Sequence, residues 1–144
     1  MQVAALGQEA AAPLPRVMTS DEPRILVIDD DPGTRDLIVE SLRTEGFRAI
    51  ARRDSLSGLV RLMSFGADAV VLDWRMPGLD GFDLLETLRR GYPDVPVVFM
   101  TGHASPVVVK KALAAGAFSV LVKPFRLEDL VAQVRRATGA WPSC

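Results

Sequence analysis

Five short apolar runs punctuate the chain: RILVID (24–29), RAIAR (48–52), DAVVLD (68–73), PVVFMT (96–101) and FSVLVK (118–123). The stretches between and after them carry helical spacing instead. Leu56, Leu59, Val60 and Met63 follow i, i+3, i+4, i+7, which predicts an amphipathic helix with that stripe turned to a core. Leu127, Leu130, Val131 and Val134 repeat the spacing in the last helix, and Leu84, Leu85 and Leu88 do so more briefly in the third.

Five strands alternating with five helices predict βαβ units and a parallel sheet, an α/β fold. The first, third and fourth runs are almost wholly apolar, as strands are when helices cover both faces of the sheet. Crossovers in such sheets are right-handed. Five units are too few for an eight-stranded barrel, which leaves an open, doubly wound three-layer sheet. Ligands of such sheets bind beyond the carboxyl ends of the strands, at the topological switch point.

The chain has 144 residues, enough for one domain with a proper core, and 49% of them are apolar. A formal net charge of −1 gives no electrostatic reason to expect nucleic-acid binding. The basic doublets Arg52-Arg53, Arg89-Arg90, Lys110-Lys111 and Arg135-Arg136 are spread along the chain and read as solvated helix faces. No apolar stretch approaches the roughly 18–20 residues of a membrane span. The single cysteine, Cys144, has no partner for an internal disulfide, which fits a reducing compartment. The Ala- and Pro-rich start lacks the basic n-region of a signal peptide, and Gln8 and Glu9 interrupt its apolar part. These features predict a cytoplasmic protein with a flexible arm over 1–23, one domain over 24–138 and a short tail over 139–144. MTSDEPRILV, from Met18, resembles a natural start of translation.

The residues that close the strands carry the chemistry. The first run ends in Asp29-Asp30, the third in Asp73, the fourth in Thr101 and the fifth in Lys123-Pro124. Asp31 before Pro32 is a standard helix start, with the acid as N-cap and the proline at N1. That role leaves Asp29 and Asp30 unexplained. Taken singly, Asp73 could cap the following turn, Thr101 could be a strand-end hydroxyl, and Lys123 could snorkel to the surface. Together they converge on one sheet edge. Carboxylates about 5 Å apart at an effective dielectric near 20 repel by roughly 3 kcal/mol per pair. Such a cluster keeps a proton or binds a hard cation through oxygen. Mg²⁺ suits it, since that ion takes one or two carboxylates together with water and phosphate oxygens. Phosphoryl transfer to a carboxylate, with Lys123 and Thr101 on the remaining phosphoryl oxygens, would use every group.

ILVIDDDPGTRDLI, DAVVLDWRMPGLDGFDLL, PVVFMTGHAS and AAGAFSVLVKPF resemble the four signature blocks of the response-regulator receiver domain, over about residues 24–138. The resemblance implies a flavodoxin-like (βα)₅ fold with strand order 2-1-3-4-5, in a bacterial two-component system. By position, it implies that Asp73 is the phosphoacceptor, served by a sensor histidine kinase or a histidine phosphotransfer protein. Asp29 and Asp30 match the acidic pair that binds Mg²⁺, with the backbone carbonyl of Arg75 and Asp73 completing the protein ligands. Thr101 matches the switch hydroxyl and Lys123 its cationic partner. A cis Lys123–Pro124 bond would aim that lysine into the site, and Pro77 and Gly78 match the turn after the phosphoacceptor. The output implied is altered protein–protein contact with a downstream partner the sequence does not name, or a phosphorylation-dependent homodimer. Direct nucleic-acid binding, membrane binding and enzymatic turnover are not implied.

Two departures stand out. The family's rotating switch aromatic lies three residues before the lysine, where this chain has Val120; Phe118, two residues earlier, falls on the same side by strand alternation. Arg75 and His103 each sit two residues beyond a site residue, positions where the resemblance implies that side chains influence loss of the phosphoryl group, and His103 reads as a rim residue. Two other readings remain: a pseudo-receiver that binds partners without phosphorylation, and an aspartyl-phosphate hydrolase of the haloacid-dehalogenase kind. The intact set of five site residues counts against the first. Against the second stands Arg75, where that family places its second acid. Gly139 reads as the stop of the last helix.

Overall fold

The computed structural model describes residues 22–76, 78–103 and 105–139. The arm up to residue 21, the start at Met18, Pro77 and the tail from residue 140 lie outside the described residues.

The five apolar runs form β1 (Arg24–Ile28), β2 (Arg48–Arg52), β3 (Ala69–Asp73), β4 (Val97–Thr101) and β5 (Ser119–Val122). Between and after them come α1 (Pro32–Thr44), α2 (Ser55–Phe65), α3 (Gly81–Gly91), α4 (Pro106–Ala114) and α5 (Leu127–Thr138). All pairings are parallel, and the sheet order is β2-β1-β3-β4-β5. The order reverses between β1 and β3, which sets the switch point beside Ile28 and Leu72.

Strand alternation divides the core in two. Leu26, Ile28, Leu72 and Phe99 pack with Leu62 of α2, Leu85 of α3 and Ala112 of α4 on one face. Val27, Val71 and Met100 pack with Ile38 of α1 and Leu130 and Val134 of α5 on the other. β3 and β4 are buried at every position and β1 at every position after Arg24, whereas the edge strand β5 is nowhere fully buried. Full burial of one Leu or Ile contributes about 1.5–3 kcal/mol, so the three central strands form the rigid part of the sheet.

Helix starts follow the local chemistry. Asp31, Asp54 and Asp80 accept from the backbone N–H of Thr34, Ser57 and Asp83 at 2.8, 2.8 and 3.0 Å, and Pro32 and Pro106 open α1 and α4. Gly139 ends α5 in a left-handed conformation, φ 70°.

Two expectations need correction. In α2 the buried face is Ser55, Gly58, Leu62 and Phe65, while Leu56, Val60 and Met63 are 73, 61 and 75% exposed. The reason lies at Gly58: a Cβ there would stand 2.5 Å from Ile28 Cδ1. The helix presses its glycine onto β1, and at 3.6 residues per turn Leu56, Val60 and Met63 fall about 140–200° away, on the outside. A glycine in a helix interior costs about 1 kcal/mol in propensity, which this close approach explains. The stripes of α3 and α5 do face the core: Leu84, Leu85, Leu88, Leu130, Val131 and Val134 are buried. The second correction is Arg89, which is no solvated face residue. Its guanidinium donates to the carbonyls of Tyr92, Pro93 and Val95 and so staples the α3–β4 connection.

Candidate functional site

The parallel register delivers the predicted groups to one edge. Asp29 follows β1 directly, Asp73 closes β3, Thr101 closes β4 and Lys123 follows β5. Asp73 pairs in register with Met100, and Thr101 with Val122. Backbone bonds extend the sheet past these ends, with Trp74 N–H donating to Met100 O at 2.9 Å and Lys123 N–H to Thr101 O at 2.7 Å. The Lys123–Pro124 peptide bond is cis.

Oxygens of Asp29, Asp30 and Asp73 lie within 4.8 Å of one another. Asp29 and Asp73 are buried and Asp30 is exposed. Lys123 Nζ bridges two of the acids, 3.0 Å from Asp73 Oδ1 and 3.3 Å from Asp29 Oδ2. Asp29 is further fixed on its other oxygen, Oδ1, which accepts from the Asp31 N–H at 2.9 Å, while its carbonyl accepts from Arg35 at 2.9 Å.

Burial raises the Asp73 carboxyl to about 6; the hydrogen bond from Lys123 opposes the rise and the charges of Asp29 and Asp30 add to it. For Lys123, burial works against the charged form, but the hydrogen bond and charge of Asp73, with Asp29 behind it, outweigh that and raise its pKa. One ammonium for three carboxylates leaves the cluster short of positive charge. A set of carboxylate oxygens this close, one of them facing solvent, is the donor chemistry of a hard divalent cation, and it fits Mg²⁺. Nothing in it resembles the nitrogen and sulfur ligands of a zinc site.

Thr101 is buried, and its hydroxyl accepts from the His103 N–H at 3.0 Å, so it is held by the β4–α4 loop. The rim is aromatic. Trp74 meets the His103 ring edge-on with centroids 6.2 Å apart, and Phe82 at 5.4 Å. The Arg75 guanidinium lies 4.6 Å from the Trp74 ring centre. Both Arg75 and His103 are exposed, as a rim position requires. Val120 is half-buried against the α2–α3–α4 side of the core. Phe118 precedes β5 and is 42% exposed, outside both core clusters.

Three contributors escaped the sequence reading. Trp74 organises the rim, and its only sequence signal is an aromatic directly after a strand-end acid. Gly81 opens α3 against the end of β3: a Cβ there would stand 2.6 Å from Asp73 O and 2.7 Å from Trp74 Cα, so only glycine allows this approach. The buried Ser55 donates to Leu79 O at 2.7 Å and ties α2 to the loop after Asp73. The N-cap of α3 is Asp80, not Asp73.

An open parallel α/β sheet with an acid cluster, a hydroxyl and a lysine at its switch-point edge is an arrangement this chain shares with a known class of signalling domain. Residues 25–135 match the model of the response regulator receiver domain. The DNA-binding response regulator MtrA of Mycolicibacterium smegmatis is 38% identical over 112 residues, 78% of this chain and 49% of that protein. The nitrogen assimilation regulatory protein NtrX of Azorhizobium caulinodans is 34% identical over 115 residues, 78% of this chain and 25% of that one. Among solved structures, a CheY-like receiver domain protein from Methanospirillum hungatei superposes with a TM-score of 0.78 at 26% identity, covering 83% of this chain and 96% of its own. The receiver domain of the Francisella response regulator 1452 gives 0.76 at 28% identity, covering 83% and 98%. The chain belongs to the response-regulator receiver family of two-component signalling. It spans about half the length, or less, of the curated relatives named here.

Proposed function

We propose that this domain, over residues 24–138, accepts a phosphoryl group on Asp73 from the phosphohistidine of a sensor kinase or phosphotransfer protein, and that the acyl phosphate alters its contacts with a downstream protein. The observation that carries the reading is the Lys123 ammonium 3.0 Å from Asp73 Oδ1 in an otherwise acidic pocket. The free carboxylate oxygen of Asp73 attacks phosphorus, a P–N bond to the donor imidazole breaks as the O–P bond forms, and the imidazole leaves with the electron pair. Lys123 then exchanges its ion pair with Asp73 for one with a phosphoryl oxygen. The Thr101 hydroxyl leaves the His103 N–H and donates to another. Asp29 and Asp30, Asp73 and the carbonyl of Arg75 would hold Mg²⁺. That ion supplies charge neutralisation of the acids and of the phosphoryl oxygens.

A valine at position 120 has no ring to swing, so the change at Thr101 passes to α4 and β5 through the β4–α4 loop, with Phe118 repacking beside it. The protein acts as a receiver of its own phosphoryl group and not as a turnover enzyme. Among the described residues no helix is long and apolar enough to cross a membrane; a cytoplasmic location is part of the proposal, as is action through protein contact without direct nucleic-acid binding by this domain.

The test is incubation with acetyl phosphate and Mg²⁺, followed by phosphate-affinity gel and intact mass. The expected product carries one phosphoryl group, is labile to hydroxylamine and is missing from Asp73→Asn. Phosphoryl incorporation of equal extent in Asp73→Asn would overturn the assignment.

A further inference from the structure

α4 is the helix least held by the core. Ala112 is its one buried residue, whereas every other helix buries at least two. Two further contacts tie it down, and both fall on one aromatic pair. Lys111, exposed on α4, sets its ammonium 4.3 Å from the centre of the Phe82 ring. His103, on the loop that leads into α4, meets the edge of Trp74. Trp74 and Phe82 are themselves in edge contact, and Phe82 backs onto Phe99 of β4 with centroids 4.9 Å apart. The pair is firmly seated. The Trp74 N–H donates to Met100 O, its carbonyl accepts from the Gly81 N–H at 2.8 Å, and Gly81 packs on Trp74 Cα with no room for a Cβ. Phe82 follows Gly81 directly and is buried.

We propose that Phe82 and Lys111 are positioning residues of the receiver site: the ammonium on the ring latches α4 in its resting place, and phosphorylation of Asp73 draws that latch open. The inference rests on the proposed function and names a regulation of the same site. When the Thr101 hydroxyl leaves the His103 N–H for a phosphoryl oxygen, the loop carrying His103 moves against a Trp74 that stays fixed. α4 continues that loop from its N-cap, Ser105, so its displacement takes Lys111 off the Phe82 ring.

The latch therefore opposes the phosphorylated state. By linkage, its removal favours that state by the factor the contact contributes, about two- to fivefold for a cation over a ring at an exposed site. A contact that only supports the fold would stabilise the resting and modified states alike and shift nothing between them. The sign of the effect thus separates a latch from ordinary packing.

The experiment titrates beryllofluoride, which stands in for the phosphoryl group on Asp73, into the full chain with Mg²⁺ by calorimetry. Lys111→Met keeps a long apolar side chain and removes the charge. It should bind beryllofluoride about two- to fivefold more tightly than wild type. Loss of a positive charge alone weakens the binding of an anion, so this tightening has the opposite sign to a simple charge effect. Lys111→Arg keeps a cation over the ring and should bind as wild type does. Without beryllofluoride, amide hydrogen exchange over 107–114 should quicken by about the same factor in Lys111→Met, with β3 unchanged. Unchanged or weakened beryllofluoride binding in Lys111→Met would overturn the latch and leave the receiver reading intact. So would tightening shared by Lys111→Arg, or exchange over α4 equal to that of wild type. A wild type that binds no beryllofluoride would overturn the receiver reading, and the latch with it.

Discussion

The hydroxyl of Thr101 accepts a hydrogen bond from the backbone N–H of His103 at 3.0 Å, so the group expected to respond to phosphorylation is engaged with its own loop before the event. Under the proposed function the response is an exchange of partners, with its coupling to α4 carried by the short loop that His103 occupies. Thr101→Ala should weaken phosphorylation-dependent partner binding or assembly about tenfold, on the scale of one charge-assisted hydrogen bond. Val120→Ala should leave it largely unchanged. Partner affinity with and without beryllofluoride measures both; the reverse ranking would refute the route through the loop.

Asp73→Asn should stabilise the unphosphorylated protein at neutral pH. The folded-state pKa of Asp73 is raised to about 6 from the ordinary 3.8. Between these values the folded state binds more protons than the unfolded state, so stability falls as pH rises through the window from about 4 to about 6 and levels above it. The substitution removes that loss. The gain at pH 7 should be about 1–2 kcal/mol, less than the full shift implies because solvent screens part of the cost. Urea unfolding across this pH range measures it, and an unchanged slope in the variant would count against Asp73 as its source.

Lys123→Met should have the opposite sign. It removes the ammonium 3.0 and 3.3 Å from two buried acids and leaves their repulsion uncompensated. A loss of about 1–2 kcal/mol is expected at pH 7, below the figure for a fully buried pair because the ammonium is partly solvated. A variant of unchanged stability would mean the acids are screened by something other than Lys123.

Mg²⁺ should raise the melting temperature by mass action, with the shift growing as its concentration rises above Kd. Asp30→Ala should abolish most of that shift while melting normally without the ion, since Asp30 is exposed and its removal leaves no buried group unpaired. Equal shifts in both proteins would place the ion elsewhere.

Gly81→Ala should damage fold and site together. Its new methyl would stand 2.6 Å from a backbone oxygen and 2.7 Å from a backbone carbon, neither of which can swing aside. Overpacking of this kind costs about 1–3 kcal/mol, and the displaced loop carries Trp74 and Arg75. Thermal melting and the rate of phosphorylation by acetyl phosphate should both fall. Gly91→Ala, with open space around it, is the control.

The sheet was legible because a parallel strand buried on both faces must be apolar along its length, and Val70–Leu72 and Val97–Met100 are. The site was legible because strand-end residues in a parallel sheet share one edge whatever lies between them, so Asp29, Asp73, Thr101 and Lys123 could be placed without coordinates. The orientation of α2 was not. A stripe of Leu56, Leu59, Val60 and Met63 has the right period, but period alone does not say which of two apolar faces is covered. Gly58 against Ile28 decides it, and a missing side chain leaves no mark in a hydrophobic pattern. Ser55 and Arg89 escaped for a related reason: their partners are backbone carbonyls far along the chain or beyond the helix end, which composition does not encode.

The unequal burial of the strands has a mechanical meaning. β1 and β3, which end beside the acids, are clamped from both sides, whereas β5, which precedes Lys123, is a four-residue edge strand nowhere fully buried. The negative charges thus stand on a stiff base and the cation on a compliant margin. Local opening of β5 breaks pairing on one side only, so its backbone amides should exchange with solvent at a lower free energy than those of β3. When the charge balance of the pocket changes, the displacement should fall on that margin, and the acids should remain where the next phosphoryl donor finds them.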